Sequence, residues 1–577
     1  MDWPDESGYE HRDPVTPRPE TIPQLVRLAG ERFADRHAIE DGDVTLTFRE
    51  LAAGGLQTAR AFCAIGIQRG DRVAIWAPNI HEWVVAAIGL QSAGAVLVPL
   101  NTRMKGGEAG YILQRSGARI LCAVEEFLGN RYVDMLRGAL GGAEAAPPGA
   151  DQSDAAPPVL GGSAIRPVAG LPDLERIVIL RPAAQAHGTQ PGIVAWPDFL
   201  AVGKAFPAAE AERRAAAVAP DDLSDILFTS GTTGKPKGVM TTHAQNLRCF
   251  EVWSSVVGLR EGDRYLIVNP FFHGFGYKAG WLAAIMRGAT ILPQAVFDVP
   301  AVLERIGKER VSVLPGPPTL YQMILAHPDR GTYDLSSLRL AVTGAAVIPV
   351  ELIHRMRREL SFETIITAYG LTESTGVVTM CRPEDDPETI ATTSGRAIPD
   401  VEVRCVDKAG CEVPRGEPGE VIVRGYNVMK GYFDDPSATA EAIDAEGWLH
   451  TGDIGVMDDR GYLRITDRIK DMFIVGGFNC YPAEIESVMF THPDVAQVAV
   501  IGVPDERMGE VGMAFVVPAP GTQLNSESLI AWCRQKMANY KVPRYVELVD
   551  ALPMNATGKV NKFVLREDVR AAADESA

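Results

Sequence analysis

The chain has 577 residues, with 56 lysines and arginines against 74 aspartates and glutamates, a formal net charge of −18. This length predicts several domains. The acidic balance argues against a nucleic-acid partner, whose phosphates need a basic surface, but leaves small anionic substrates open. The N-terminus lacks the basic start and apolar middle of a secretory signal. Because the eight cysteines are also scattered without a C-x-x-C pair, we expect a cytoplasmic protein.

Short apolar runs alternate with helical patterns in the first 140 residues. Residues 71–79 are typical of a buried strand, 80–93 of a helix and 95–100 of the next strand. This order predicts a parallel sheet with crossover helices. The most apolar stretch, 83–100, contains polar residues and glycine, which favours a buried helix and strand over a membrane span. Further buried strands are predicted at 224–230, 264–270, 288–293, 311–318, 338–346 and 364–370.

Changes in composition indicate how the chain is divided. Residues 141–170 are rich in alanine, proline and glycine and have few large apolar side chains, so we expect a surface insertion there. After Asp400, short apolar runs separated by glycine and proline predict a small β-rich subdomain. From Asp471 onward the pattern predicts a compact α+β segment.

The strongest local signal is TSGTTGKPKG, residues 229–238, where a predicted strand leads into three glycines, four hydroxyl side chains and two lysines. Small residues let backbone N–H groups approach an anion, while hydroxyls and lysines add donors and positive charge. The segment therefore predicts a polyphosphate loop. A Walker A loop is excluded because the spacing from Gly231 requires glycine where Pro236 stands. An ordinary turn with surface lysines is the alternative that the density of the cluster disfavours.

This segment resembles the phosphate loop of the adenylate-forming enzymes, the superfamily of acyl-CoA synthetases, luciferases and peptide-synthetase adenylation domains. Five other segments resemble motifs of that family in the same order: YGLTE (369–373) for adenine and magnesium, TGD (451–453) for ribose, DRIKD (467–471) for the hinge, GGFNCYPAEIE (476–486) for coenzyme A and NATGKV (555–560) for the catalytic lysine.

The resemblance implies an α/β fold with two domains. The large N-terminal domain has parallel-rich sheets with crossover helices and the β-rich subdomain, and the small α+β C-terminal domain is mobile. The implied boundaries are a leader at 1–20, the AMP-binding domain at 21–467 with its insertion at 141–170, a hinge at 468–471 and the C-terminal domain at 472–577.

The same resemblance assigns an ATP and AMP site. Asp453 and Arg468 would meet the ribose, although a surface ion pair is the alternative for both. Glu373 and Thr232 would hold Mg²⁺, which prefers oxygen ligands. The small residues at 344–346 would lie against adenine or simply pack in the sheet. The full set of nucleotide-site residues is Thr229, Ser230, Gly231, Thr232, Thr233, Gly234, Lys235, Lys237, Gly344, Ala345, Ala346, Tyr369, Gly370, Thr372, Asp453 and Arg468.

Adenylation joins two anions, and this repulsion explains the need for a catalytic cation. A carboxylate about 4 Å from a phosphate charge is repelled by roughly 4 kcal/mol at an effective dielectric of 20. The family lysine that matches Lys559 bridges the two groups, whereas a solvated surface lysine is the alternative. Glu373 and His273 are the other residues that the resemblance implies to be catalytic.

The second half-reaction needs a channel for coenzyme A, whose sulfur is the nucleophile. Lys470 matches the family's hinge position, and Gly476, Gly477 and Phe478 match the segment that lines the thiol channel. His273 matches an aromatic gate over the acyl pocket. Two alternatives stay open for Lys278, which would either contact an acidic or ketone oxygen or point to solvent. The predicted acyl-pocket residues are Phe272, Phe275, Gly276, Tyr277, Lys278 and Gly316.

The sequence thus predicts an AMP-forming acyl-CoA ligase that uses ATP, Mg²⁺ and coenzyme A. The pocket-bordering segments resemble a narrower actinobacterial group that activates the propanoate side chain of a steroid-derived hexahydroindanedione. A medium-chain fatty acid is the second substrate hypothesis, and loading of a carrier protein ranks below it. A non-catalytic nucleotide sensor is the hypothesis from another class. We expect no membrane span, and the oligomeric state, with a homodimer among the options, is left open.

Overall fold

The computed structural model describes residues 18–140, 167–182, 190–229, 236–344, 348–468, 471–475, 478–505, 507–554 and 560–575. Sheets and helices alternate along the chain, which confirms the α/β prediction. The chain forms two compact units. The first consists of residues 1–297 and 429–434, and the second of residues 298–428 and 435–577.

An eight-stranded sheet is the centre of the first unit. From Leu223–Thr229 to its far edge, neighbouring strands are parallel, as predicted, whereas Lys237–Thr242 is antiparallel to both of its neighbours. Most side chains of Val96–Pro99, Arg72–Trp76 and Ile120–Ala123 are apolar and buried, as is typical of parallel strands in the middle of a sheet. In spatial order the strands are Gly431–Tyr432, Lys237–Thr242, Leu223–Thr229, Val96–Pro99, Arg72–Trp76, Ile120–Ala123, Arg176–Ile179 and Ile193–Ala195.

The remaining elements of the first unit surround this sheet. Thr47 and Thr242 begin their helices with capping boxes, in which the threonine hydroxyl and a side chain three residues later satisfy free backbone N–H groups. A four-stranded sheet has the order Arg264–Ile267, Thr290–Pro293, His37–Asp41 and Val44–Thr47, and a hairpin joins Glu126–Phe127 to Asn130–Arg131. The helices are Ile22–Arg32, Phe48–Ala64, His81–Ser92, Gly106–Ser116, Tyr132–Leu140, Trp196–Val202, Gly203–Ala205, Ala208–Ala216, His243–Val256, Gly274–Gly276, Tyr277–Leu282 and Ala283–Arg287.

The second unit contains three sheets. The β-rich subdomain predicted after Asp400 is an antiparallel sheet of Val401–Val406, Pro418–Gly425, Leu449–Met457 and Leu463–Arg468. Before it lies a sheet of Leu340–Gly344, Thr364–Tyr369, Thr379–Met380 and Arg396–Ala397. The α+β segment predicted from Asp471 contains a five-stranded sheet of Phe478–Cys480, Phe473–Val475, Gly509–Pro518, Val495–Asp505 and Tyr545–Leu548.

Helices accompany each sheet of this unit. In the C-terminal segment they cover an apolar core that includes Phe473, Ile485, Val500 and Leu529. The helices of the unit are Val299–Glu309, Pro318–Ala326, Arg330–Thr332, Val350–Leu360, Thr372–Ser374, Pro387–Thr392, Pro436–Ala442, Pro482–Met489, Ser526–Lys536 and Lys562–Glu575.

One predicted strand, 311–318, is wrong. The segment runs beside Leu340–Gly344 but makes a single β-bridge, between Val313 and Leu340. Three of its residues are proline, which has no N–H to donate to a sheet, so a regular strand cannot form. In the described part of the chain, no helix has both the length and the apolar character that a membrane crossing requires.

Gly395 supports the sheet that carries Tyr369, because it precedes the edge strand Arg396–Ala397. Its φ is +79°, and a Cβ there would lie 1.8 Å from the carbonyl carbon of Met380. Gly410 has a similar φ of +81°, but a Cβ there would meet no atom within 4 Å. Substitution of Gly410 therefore measures the cost of the left-handed backbone alone, whereas substitution of Gly395 adds the clash with Met380.

We predict that Gly395→Ala destabilises the protein far more than Gly410→Ala. The left-handed backbone alone costs an alanine about 1–2 kcal/mol, and the clash with Met380 adds about 1–3 kcal/mol or more. Thermal unfolding of both variants measures the difference in Tm. Equal Tm values would contradict a steric clash between a Cβ at position 395 and the backbone of Met380.

Candidate functional site

The predicted phosphate loop lies between two paired strands. Leu223–Thr229 and Lys237–Thr242 are antiparallel, and the Cα atoms of Thr229 and Lys237 face each other where the strands meet the loop. Both end residues are half-buried, and the Lys237 ammonium lies 5.0 Å from the centre of the Tyr432 ring. The loop residues themselves lie outside the described residues: Ser230, Gly231, Thr232, Thr233, Gly234 and Lys235.

A buried ion pair lies at the base of this hairpin. The Lys278 ammonium is 3.1 Å from Oδ1 of Asp225, and their side chains are 1% and 0% exposed. Lys278 also donates to the hydroxyl of Thr241 at 2.9 Å, and that hydroxyl donates to Asp225 at 2.7 Å. Asp225 and Thr241 are register partners on the two strands. The lysine thus binds both strands at once.

Neutral donors complete the environment of the Asp225 carboxylate. Oδ2 accepts hydrogen bonds from Asn246 at 2.6 Å, Ser224 at 2.8 Å and Tyr277 at 3.4 Å. Burial, reinforced by the Asp225 charge, raises the pKa of Tyr277 well above its ordinary value, so its hydroxyl stays protonated and donates. Gln91 in turn donates to the Tyr277 hydroxyl at 2.9 Å. A buried carboxylate needs such a complete set of partners.

The cation that balances Asp225 is Lys278 rather than the neighbouring histidine. His243 begins the next helix and is 1% exposed. Burial lowers its pKa to about 4, although the charges of Asp225 and Asp222 act in the opposite direction. His243 is therefore neutral near pH 7, and its Nδ1 accepts a hydrogen bond from the backbone N–H of Ile22 at 3.3 Å.

This geometry corrects the prediction for Lys278 and places Tyr277 differently from expectation. Both side chains are buried and directed to the Asp225 cluster, so the alternative in which Lys278 points to solvent is wrong, and its ammonium binds oxygens of Asp225 and Thr241. Removing one partner of a buried pair costs about 3–5 kcal/mol, because the other charge is left uncompensated.

The segment that leads to Lys278 carries the other predicted acyl-pocket residues. His273 is exposed, and its Nδ1 accepts the Phe275 N–H at 3.2 Å, which starts the helix. Phe272 and Phe275 are half-buried. Gly276 is buried, and a Cβ there would lie 2.2 Å from the carbonyl oxygen of Pro270, so only glycine fits. From Tyr277 the backbone continues as a π-helix, a form often found at functional sites.

The second unit holds the predicted adenine and ribose residues. Tyr369 ends the strand Thr364–Tyr369, and Asp453 lies in Leu449–Met457, where it is 4% exposed. The Tyr369 hydroxyl donates to Oδ2 of Asp453 at 2.6 Å. The backbone of Arg468 faces that of Asp453 across the sheet, although its side chain is not described. The structure thus brings three predicted residues together.

Glycines bring the backbone close at two of the predicted adenine positions. A Cβ at Gly344 would lie 2.9 Å from the carbonyl oxygen of Ala368, and one at Gly370 would lie 2.3 Å from that of Gly376. Gly316 is also buried, and its N–H donates to the carbonyl of Val342 at 3.0 Å. Because a Cβ would come too close to the neighbouring backbone, glycine is required at positions 344 and 370.

The donor types around Glu373 suit a magnesium ion. Thr372 and Glu373 form a short 3₁₀ turn with Ser374, and both are half-buried. A carboxylate and a hydroxyl are hard oxygen ligands of the kind that Mg²⁺ prefers. The second predicted ligand, Thr232, lies in the phosphate loop outside the described residues.

Several predicted residues of the hinge, the coenzyme A channel and the catalytic lysine motif are not described. For Phe478 the structure gives the backbone, which begins the strand Phe478–Cys480. Their roles, and the domain boundary at the hinge, stay predictions. Of these motifs, Lys470, Gly476, Gly477 and Lys559 lie outside the described ranges, as do Ala345 and Ala346 of the predicted adenine site.

Asp41, His81 and Glu82 form a cluster with the spacing of metal ligands. Arg181 donates to both carboxylates, with its Nε 2.9 Å from Glu82. Although burial raises it, hydrogen bonds from His81 and the Arg181 charge lower the pKa of Asp41 to about 2. A guanidinium therefore already pairs with both carboxylates, and the cluster is an ion-pair network.

Asp225, Thr241 and Asn246 were not among the residues predicted from the sequence. A signal was present, because an aspartate in the buried strand 224–230 and a lysine in the apolar segment after residue 276 each break an apolar pattern. A charge in such a place needs a partner. Which charges pair could not be read from the sequence, since the two segments meet only in the folded chain.

Comparison with known proteins identifies both main parts of the chain. Residues 26–433 match the family model of the AMP-binding enzymes, and residues 484–559 match that of the AMP-binding enzyme C-terminal domain. The solved structure of the anthranilate CoA ligase AuaEII in complex with anthranoyl-AMP is similar, with a TM-score of 0.82 and 29% identity. The match covers 97% of this chain and 100% of that one, and it supports the predicted fold class.

Two curated relatives bear on the acid. A ligase of Rhodococcus jostii, named for a propanoyl group on a 7a-methyl-1,5-dioxo-octahydroindene ring, is 49% identical over 554 residues, covering 96% of this chain and all of the relative. The human medium-chain acyl-CoA ligase ACSF2 is 33% identical over 558 residues, covering 95% of this chain and 87% of the relative. The predicted resemblance to the narrower group is confirmed.

We predict that Tyr369→Phe weakens AMP binding about tenfold, because a hydrogen bond to a charged group contributes about 1.5 kcal/mol. Without the hydroxyl, the Asp453 carboxylate loses this hydrogen bond. Isothermal titration with AMP measures the change in Kd. Tyr462→Phe is the matched control, since its hydroxyl donates to Asp385 at 2.7 Å in the same unit. If both variants bind AMP equally well, Asp453 does not hold the ribose.

Proposed function

Because the chain belongs to the AMP-binding enzyme family, we propose that it is an AMP-forming acyl-CoA ligase for a steroid-derived bicyclic keto acid with a propanoate side chain. The observation that carries this proposal is the 49% identity to the Rhodococcus propanoyl:CoA ligase over its full length. The reaction joins the acid and ATP into an acyl-adenylate with release of pyrophosphate. Coenzyme A then attacks the acyl carbon, and AMP leaves.

The described residues support the nucleotide part of this reaction. The buried Asp453 carboxylate, held by Tyr369, offers two oxygens to the two ribose hydroxyls. Thr229 and Lys237 mark the ends of the phosphate loop, and their strands are fixed by the buried ion pair below. Glu373 and Thr232 would hold Mg²⁺, which would neutralise phosphate charge when bound.

We propose that Lys559 assists the chemical step. Its ammonium would lie between the carboxylate and the α-phosphate while the bond between them forms, and it would lower the repulsion that otherwise opposes the reaction. In the second step the C-terminal domain would turn about Lys470, and the segment at Gly476, Gly477 and Phe478 would line the thiol channel. These roles rest on the motif resemblance.

A medium-chain fatty acid is the second candidate substrate. The observation that favours it is the 33% identity to human ACSF2 over 95% of this chain. Both acids would react through the same two steps, because each presents a carboxylate. The residues that line the acyl pocket would decide which acid binds. The higher identity of the Rhodococcus ligase favours the bicyclic acid.

We predict that the bicyclic keto acid is the better substrate by at least about tenfold in kcat/KM over octanoate, since differential transition-state binding sets the preference. A panel of both acids, with pyrophosphate release as the readout, measures the ratio. Comparable kcat/KM values for the two acids contradict the steroid assignment. Turnover with no acid across a wider panel of carboxylic acids, despite ATP binding, contradicts the ligase assignment and supports a sensor.

We predict that Lys559→Met reduces acid-dependent AMP formation by at least about a hundredfold, because the methionine is similar in length but carries no charge to offset the repulsion. AMP binding, measured by isothermal titration, stays within about threefold of wild type, since the ground-state contacts remain. Lys562→Met is the control. This lysine lies three residues after Lys559 in the chain, and it pairs with Glu486 at 2.7 Å. Undiminished adenylation by Lys559→Met contradicts the charge argument.

A further inference from the structure

The buried pair of Asp225 and Lys278 joins two elements with different predicted roles. Asp225 and Thr241 belong to the strands that enter and leave the phosphate loop. Lys278 belongs to the π-helix that continues the segment of His273 and Phe275. The three groups form a closed triangle with sides of 2.7, 2.9 and 3.1 Å. A shift of either element would therefore break contacts to the other.

The helix side of this connection is held from several directions. Tyr277 stacks on Trp281 with ring centres 4.9 Å apart, and its hydroxyl donates to Asp225. At the preceding residue, Gly276 lies against the backbone of Asn269 and Pro270 with no room for a Cβ. Two consecutive side chains, Tyr277 and Lys278, thus bind the same carboxylate. The orientation of the helix relative to the hairpin is fixed by this carboxylate.

The strand side is held equally well. Asn246, from the helix that follows the second strand, donates to Asp225 at 2.6 Å. Buried ion pairs contribute little net stability compared with apolar residues of the same size, and in some proteins their role is to specify one arrangement of their partners. The described geometry therefore favours a role in fixing relative position over a role in general stability.

We propose that Asp225 and Lys278 are positioning residues. They hold the helix Tyr277–Leu282, which continues the predicted acyl-pocket segment, at a fixed distance from the hairpin that carries the phosphate loop. The carboxylate of the acid then meets the phosphate in reacting geometry. This inference rests on the proposed function. Neither residue touches a substrate. Their effect falls on the step in which two separately bound groups must approach, and a small misplacement slows such a step about a hundredfold.

The two half-reactions give an internal test. In adenylation the acid and ATP are separate, so their relative position limits the rate. In thioester formation from a preformed acyl-adenylate, the carboxyl and phosphate are already bonded, and the distance between helix and hairpin no longer matters. A loss of positioning therefore slows the first half-reaction and spares the second, whereas a loss of folded protein lowers both equally.

The experiment compares wild type with Lys278→Met, Asp225→Asn and the double variant in both half-reactions, using the acid with the highest turnover in the panel. We expect the kcat of adenylation to fall about a hundredfold in each variant, with the KM values for acid and ATP within about threefold. Thioester formation from purified acyl-adenylate stays within about threefold of wild type. The double variant leaves no unpaired buried charge, so it should melt above either single variant and still adenylate slowly.

Arg119→Met is the control for a general loss of stability. It removes an ion pair with Glu175 at 2.9 Å and another with Asp71 in the same unit, and we expect it to scale both half-reactions together. Equal losses in both half-reactions for the Lys278 and Asp225 variants, or adenylation restored to wild-type rate in the double variant, would overturn the positioning role. A wild-type chain without acid-dependent turnover would overturn the ligase assignment, and this inference with it.

Discussion

The side chain of Asp225 is fully buried, and the groups that neutralise its charge connect several elements of the first unit. A buried charge of this kind is tolerated only when hydrogen bonds and an opposite charge surround it. Lys278 supplies that charge, and hydroxyls and an amide from both strands and two helices supply the hydrogen bonds. The two strands that enter and leave the phosphate loop, the helix after them and the π-helix are therefore connected through this carboxylate.

Much of the fold could be predicted from the sequence because buried strands are marked by apolar runs. The strands at 71–79, 95–100 and 364–370 were predicted in this way and confirmed. The pattern failed at 311–318, where a short apolar run is followed by three prolines, which have no N–H to donate to a neighbouring strand. Composition also identified the β-rich subdomain after Asp400, since its turns are rich in glycine and proline.

The candidate site could be predicted residue by residue but not as a set of contacts. Tyr369 and Asp453 were each predicted from a motif, yet their hydrogen bond joins positions 84 residues apart and depends on the folded sheets. Lys278 was predicted as a pocket residue because its neighbours are. Its partner Asp225 could not be predicted, since an aspartate inside a strand does not indicate which element will pack against it.

The π-helix at Tyr277–Leu282 has a consequence for chain length. A π turn holds one residue more than an α turn, and one residue corresponds to about 100° of rotation. A homologue that lacks this single residue would close the segment into regular α-helix and aim a different side chain at Asp225, so deletions here and the identity of the counter-ion should change together.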